Sequence, residues 1–287
     1  MRESLRLNEN ELKFLKDISK EIRCSILTMV TEAEVGHIGG SLSITDILAA
    51  LYFKILRINP SNPSWEDRDR LVLSKGHAAT ALYSTLAFRG FFKKDKLKTF
   101  GLLNSNFKVH PDKNKVPGIE ASTGALGQGL SIGLGMALAA RLDNKNYHTY
   151  VILGDGETQE GQIWEAAMFA SHYKLDNITA IIDHNNVQLM GNVPEIMGIA
   201  PVAEKWSAFG WRTLKIDGHD FNQIIVSLQK SRETKGKPTM IIADTIKGKG
   251  VSFMQNTCKW HGNIPTHEEY ENALNEIKLS DSKNFRR

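Results

Sequence analysis

Apolar residues Leu12, Leu15, Ile18, Ile22, Ile26 and Met29 recur at intervals of three and four, which places them on one face of a helix. Asn8 and Glu11, three apart just before that stripe, form the capping box that predicts its start. A second helix is predicted through Ile47, Leu48, Leu51 and Ile55, opened by Ser43-x-x-Asp46 and closed near Asn59-Pro60. From there the period changes. Short apolar runs at Leu71-Val72-Leu73, Tyr150-Val151-Ile152-Leu153, Ile178 to Ile182, Arg212 to Ile216 and Met240 to Ala243 read as buried strands. Helical patterns alternate with them: one reaching Gly90, one from about Glu160 to Tyr173, and one around Ile224 to Leu228. This alternation predicts an α/β fold: a mostly parallel sheet with right-handed crossovers and helices on both faces. Thr266-x-x-Glu269 opens a last helix that runs to Leu279. No repeat, low-complexity tract or linker divides the chain, so residues 1–287 are expected to form one domain, with loose ends at about 1–10 and 280–287.

Composition changes this picture little. A 41% apolar share and 24% charged residues are ordinary for a globular protein of 287 residues. The net charge of +4 is scattered, and no basic stripe interleaved with aromatics appears, which argues against a nucleic-acid partner. Cys24 and Cys258, far apart, offer neither a disulfide framework nor a metal-ligand pair, and suit a reducing cytoplasm. The N-terminus mixes charges and lacks the apolar core of a signal peptide. Ala121 to Ala140 carries no charge over a length near that of a membrane span. Its polar residues gather at one end, among five glycines, so a buried loop entering a core helix is the expectation, and a soluble, cytoplasmic protein with no membrane partner.

In open parallel sheets ligands bind beyond the carboxyl ends of the strands. Gly154-Asp155-Gly156-Glu157 directly follows a predicted strand. Its glycines permit close backbone approach to an anion, and a following helix N-terminus favours negative charge. Asp155 is itself an anion, which makes sense beside phosphate only with a divalent cation between them. Asp183-His184-Asn185-Asn186 ends the next strand, and the 28 residues between Gly156 and Asn185 suit one helix and one strand. The two strand ends should therefore be neighbours. Asp155, the Asn185 amide oxygen and a nearby carbonyl are hard oxygen ligands that suit Mg2+, with Ca2+ also possible. A lone Gly-Asp-Gly is more often only a turn. Gly127-x-Gly129-x-x-x-Gly133 misses the dinucleotide fingerprint, and no Walker-type loop is present. Among the nine histidines, His37, His77, His110 and His261 stand out in loop settings beside glycine or proline. Imidazoles can shuttle protons and bind phosphate or sugar hydroxyls, but any one alone is more often an ordinary loop or core residue, and spacing does not show that they converge.

These segments together resemble the N-terminal part of transketolase. The resemblance is carried by Gly36-His37-Ile38-Gly39-Gly40-Ser41, Ser74-Lys75-Gly76-His77, Ser122-Thr123-Gly124-Ala125-Leu126-Gly127-Gln128-Gly129, Gly154-Asp155-Gly156-Glu157-x-Gln159-Glu160-Gly161 and Trp260-His261-Gly262, and it spans nearly the whole chain. Deoxyxylulose-phosphate synthase shares the diphosphate motif, but the His-Pro-Asp and Gln-Glu-Gly stretches favour transketolase.

The resemblance implies a thiamin-diphosphate-binding fold that transfers a two-carbon ketol unit between sugar phosphates. Asp155, Asn185 and the carbonyl of Val187 would bind the metal. Gly156, His77 and His261 would face the diphosphate side of the cofactor, and the backbone around Gly124 and Leu126 its rings. His37, His77, His110 and His261 would line the sugar channel, with His37 and His261 serving proton transfer, and Glu160 would lie at a dimer contact. Ile38 and Val109 stand where the family usually has proline and glycine, which leaves the presentation of His37 and His110 open. Transketolases usually continue through two further domains. The expectation is therefore the N-terminal subunit of a split transketolase in a dimer of heterodimers, its partner supplying the activating glutamate and the pyrimidine pocket. A shortened piece of a longer chain and a non-catalytic paralogue are the alternatives.

Overall fold

A computed structural model describes residues 6–279. Helix α1 (Glu9–Ala33) opens with the expected box: Asn8 accepts from the Glu11 amide while the Glu11 carboxylate accepts from that of Asn8. The loose end expected at 1–10 lies partly outside the described residues, but Asn8 to Asn10 belong to this capped start. The end expected at 280–287 lies outside the described residues altogether. Helices α2 (Ile38–Ser43) and α3 (Thr45–Ala50) follow, and α3 runs into a π-helical turn ending at Ile55. The Ser43-x-x-Asp46 box is not formed. Ser43 ends α2 and donates to Asp183, and Asp46 is buried against Arg23. Both side chains are committed to tertiary partners.

Five strands form the sheet: β1 (Arg70–Leu73), β2 (Thr149–Gly154), β3 (Ile178–His184), then β6 (Arg212–Asp217) and β7 (Thr239–Asp244) after a two-residue hairpin, β4 (Val187–Gln188) and β5 (Gly191–Asn192). The sheet order is β1-β2-β3-β7-β6 and every pairing in it is parallel. Between the strands run α4 (Ala79–Arg89), α5 (Gln128–Leu142), α6 (Gly161–His172), α7 (Val193–Met197), α8 (Val202–Ala208) and α9 (Phe221–Glu233), and α10 (His267–Leu279) closes the described chain. Because side chains alternate along a strand, Tyr150 and Ile152 pack into the layer of α1, α3, α4, α9 and α10, while Val151 and Leu153 pack against α5, α6 and α8. The α/β fold with helices on both faces is thus the observed one. Among the described residues no helix is long and apolar enough to cross a membrane, and both cysteines are free.

The uncharged 121–140 stretch departs from its expectation. Only one face of α5 is core, through Leu130, Gly133, Leu134 and Ala137, while Ser131, Ile132, Gly135 and Ala139 are not. The absence of charge reflects close packing on one side and an apolar outer surface on the other.

The glycines of α5 let it approach the sheet closely. A methyl group at Gly129 would come within 2.6 Å of the Ser74 Cα just after β1, a contact that only a backbone shift relieves. Gly129→Ala is expected to lower the unfolding free energy by about 1–3 kcal/mol. Urea denaturation of the full chain measures this, and an unchanged midpoint would contradict the packing described.

Candidate functional site

The carboxyl ends of all five strands open on one edge of the sheet, and the register there sets Gly154 against Asp183 and His184 against Asp244. The turn after β2 and the segment after β3 are therefore neighbours, as their spacing predicted. Between them lies a cavity of about 260 Å³. Asp155, Gly156, Glu160, Asn185 and Val187 line it, joined by His77, Leu126 and His261 from other loops.

Asp155 is 3% exposed and accepts from the amides of Gly156 and Asn186. Burial and then the charge of Asp183 push its pKa up from the ordinary carboxylate value. Asn186 takes a left-handed conformation (φ 60°) to turn its amide toward that carboxylate. The Asn185 amide group donates to Asp183 (2.8 Å), which fixes the oxygen on the other side, where it accepts from the Val187 amide (3.1 Å). The carbonyl of Val187 accepts from Lys247 Nζ at 2.8 Å.

The histidines do converge. Ring centroids of His37 lie 5.3 Å from His77, 5.3 Å from His261 and 6.3 Å from His110, and His77 lies 5.2 Å from His261. Burial, reinforced by Lys75, holds His77 well below its usual value, and burial with Lys247 takes His261 to about 3. Burial followed by the charge of His110 also lowers His37. Neutral imidazoles at these positions can donate one hydrogen bond and accept another. Gly124 takes φ 153° and stands outside the cavity wall, and a Cβ there would meet the His110 ring at 3.1 Å, so its part is to let that ring approach the loop.

Several residues of the site were not singled out from the sequence. Lys247 touches both the Val187 carbonyl and His261 Nδ1 (2.9 Å), and burial beside Lys75 lowers it to about 8. Lys75 and Gln188 also line the cavity, and Gln188 accepts from Gln159. Glu157, next to the metal candidate, turns away from it: buried, it accepts from Ser74 Oγ and from the amides of Gly127 (2.8 Å) and Gly154 (2.9 Å). It ties the glycine loop before α5 to the turn after β2. A usable signal for Lys247 existed, since Lys247-Gly248-Lys249-Gly250 closely follows β7.

Residues 15–286 match the family described as transketolase, thiamine diphosphate binding domain. The chain belongs to the transketolase family. Its relatives include an apulose-4-phosphate transketolase subunit of Phocaeicola vulgatus, 46% identical over 90% of this chain and 92% of that protein. The 6-deoxy-6-sulfo-D-fructose transketolase subunit SqwG of Clostridium sp. is 45% identical over 90% of this chain and 94% of its own length. Among solved structures, transketolase from Campylobacter jejuni superposes with a TM-score of 0.88 at 34% identity, over 93% of this chain and 43% of that one. Transketolase from Leishmania mexicana gives 0.87 at 31% identity, with 92% and 41% covered. The chain thus spans about two fifths of the solved transketolases and nearly all of the two subunits.

The lowered histidines carry a pH signature. As pH falls below about 6.5, the unfolded chain takes up protons that folded His77 and His261 refuse, so unfolding free energy should fall with pH. His261→Asn is expected to flatten that slope between about pH 6.5 and 4, read by chemical denaturation. A variant that tracks the parent across this range would show that His261 is not held neutral.

Proposed function

We propose that this chain is the N-terminal subunit of a two-chain transketolase, moving a two-carbon ketol unit from a ketose phosphate to an aldose phosphate. The cavity at the strand ends would hold thiamin diphosphate, since it is lined by the glycine turn after β2, the segment after β3 and the loops of His77 and His261. The observation that carries the reading is the buried Asp155 facing that cavity beside Asn185 and Val187, with Lys75 and Lys247 as the cations around it. A carboxylate whose pKa is pushed up by burial calls for added positive charge. Mg2+ supplies it, held by Asp155, Asn185 and the carbonyl of Val187, which has a second lone pair beyond the one Lys247 uses. Among the described residues no three His, Cys, Asp or Glu side chains gather to hold a metal alone. That suits an ion completed by diphosphate oxygens and water, with Ca2+ as an acceptable substitute.

When bound, thiamin diphosphate supplies the electron sink that lets a carbon–carbon bond beside a ketose carbonyl break and re-form. The chain's residues bind and orient. Lys247 and His261 face the diphosphate side together with Gly156. Leu126 presents an apolar contact to the cofactor rings. His37, His77, His110 and His261 hold sugar hydroxyls by hydrogen bonds, and His37 and His261 exchange protons with them.

The two-chain assembly is supported by the relatives that are themselves separate subunits, and by the rim of the cavity. Leu189 (59% exposed), Met190 (80%) and Met197 (60%) stand in solvent beside it, as an apolar surface that another chain would cover. That chain would be the C-terminal subunit carrying the activating glutamate and the pyrimidine pocket. Glu160 and the outer faces of α5 and α6, with Ile132, Met168 and Phe169, are open to solvent and suit the contact that pairs two such heterodimers. The two free cysteines fit a cytoplasmic location.

Ketol transfer is expected only when this chain is mixed with its C-terminal counterpart, thiamin diphosphate and Mg2+. Robust transfer by this chain alone would refute the shared site. Asp155→Ala should abolish the Mg2+-dependent part of thiamin diphosphate binding in a calorimetric titration, and binding at wild-type strength would remove the anchor assignment.

A further inference from the structure

The Asp217-Gly218-His219-Asp220 segment after β6 lines no part of the cavity, yet its histidine is 9% exposed and bonded at both ring nitrogens. His219 Nε2 lies 2.9 Å from the backbone nitrogen of Ile246, and Nδ1 lies 2.8 Å from Asp46 Oδ2. A backbone N–H can only donate, so Nε2 accepts and Nδ1 carries the proton that goes to Asp46. Asp46 is held in turn by both terminal nitrogens of Arg23, at 2.9 and 2.7 Å. A line of hydrogen bonds thus runs from α1 through α3 and the β6–α9 turn to the loop that follows β7.

That loop carries Lys247 as the next residue. Its Nζ reaches the Val187 carbonyl and His261. On the far side of Lys247, the Gly248 amide donates to the Gly39 carbonyl at 3.0 Å. The backbone is therefore held on both sides of the lysine, by His219 before it and by α2 after it. An apolar side chain at 219 would fill the same space but leave the Ile246 amide without its acceptor.

We propose that His219 is a positioning residue for Lys247, a cation of the cofactor cavity, acting through the Ile246 amide. The inference rests on the thiamin diphosphate reading above. It predicts an effect on how tightly the cofactor is held, with little effect on turnover once the site is filled.

Two measurements test it. In the cofactor-free full chain, His219→Ala should accelerate hydrogen exchange of the Ile246 amide. His219→Gln, whose side chain carries an acceptor and a donor, should restore protection. In the enzyme assembled with the C-terminal subunit, His219→Ala should raise the thiamin diphosphate concentration for half-maximal activity roughly 10-fold, the low end for a residue supporting a ligand. Saturating cofactor should recover turnover, and His219→Gln should lie near wild type. If the alanine variant does not fold, His219→Phe fills the space without the acceptor and takes its place. An unchanged half-saturation, a turnover loss that cofactor does not recover, or a glutamine variant as impaired as alanine would each overturn the proposal. A wild-type assembly without ketol transfer would instead overturn the functional reading. The exchange experiment, which involves no cofactor, separates the two failures.

Discussion

The site depends on one buried carboxylate. Asp183, fully excluded from water at the end of β3, accepts from Lys75 after β1, Ser43 at the end of α2, Thr245 after β7 and the Asn185 side chain. Burial alone would raise its pKa, but the Lys75 ammonium and the hydrogen bonds outweigh that and hold it below the ordinary value. An ion pair in so dry a place is costly unless further hydrogen bonds support it, and here four donors from four segments do so, three on Oδ2 and Thr245 on Oδ1. The loops at the strand ends are thereby drawn to a single point. The same interaction turns the Asn185 amide so that its oxygen faces away from Asp183.

Around that point the cavity is shaped by close backbone approach and by polar side chains turned inward. Gly76 comes so near the loop before α5 that a Cβ would lie 2.7 Å from the Gly124 nitrogen. Glu157 fastens the same loop from the other side through the Gly127 amide. Burial, and after it Lys75 and Lys247, depress His77 and His261, so cation and neutral imidazole stand side by side in one pocket. Its apolar rim is open, which agrees with a chain that matches whole transketolase subunits but only part of a full-length transketolase.

Much of this was legible in the residues. Strand and helix periods predicted the parallel sheet, and the 28 residues between Gly156 and Asn185 made their neighbourhood expected because one helix and one strand must bridge adjacent parallel strands. The Asn8 and Thr266 capping boxes form as read, since both depend only on residues three apart. Ser43 and Asp46 have the same spacing and form no box, because long-range partners compete for both side chains.

The sequence by itself determined which local structures could form and which chemical groups were available: alternating buried strands, glycine turns at their ends, hard oxygen ligands and imidazoles. Period, capping and backbone freedom are local properties, and they act over a few residues. Only the tertiary structure decided which of those groups meet. The gathering of four histidines, the paired use of Lys75 and Lys247, the tie that Glu157 makes to the loop before α5 and the relay through His219 all join residues far apart in the chain. Their partners are chosen by which strand lies beside which, and by the need to satisfy every polar group that packing takes out of water.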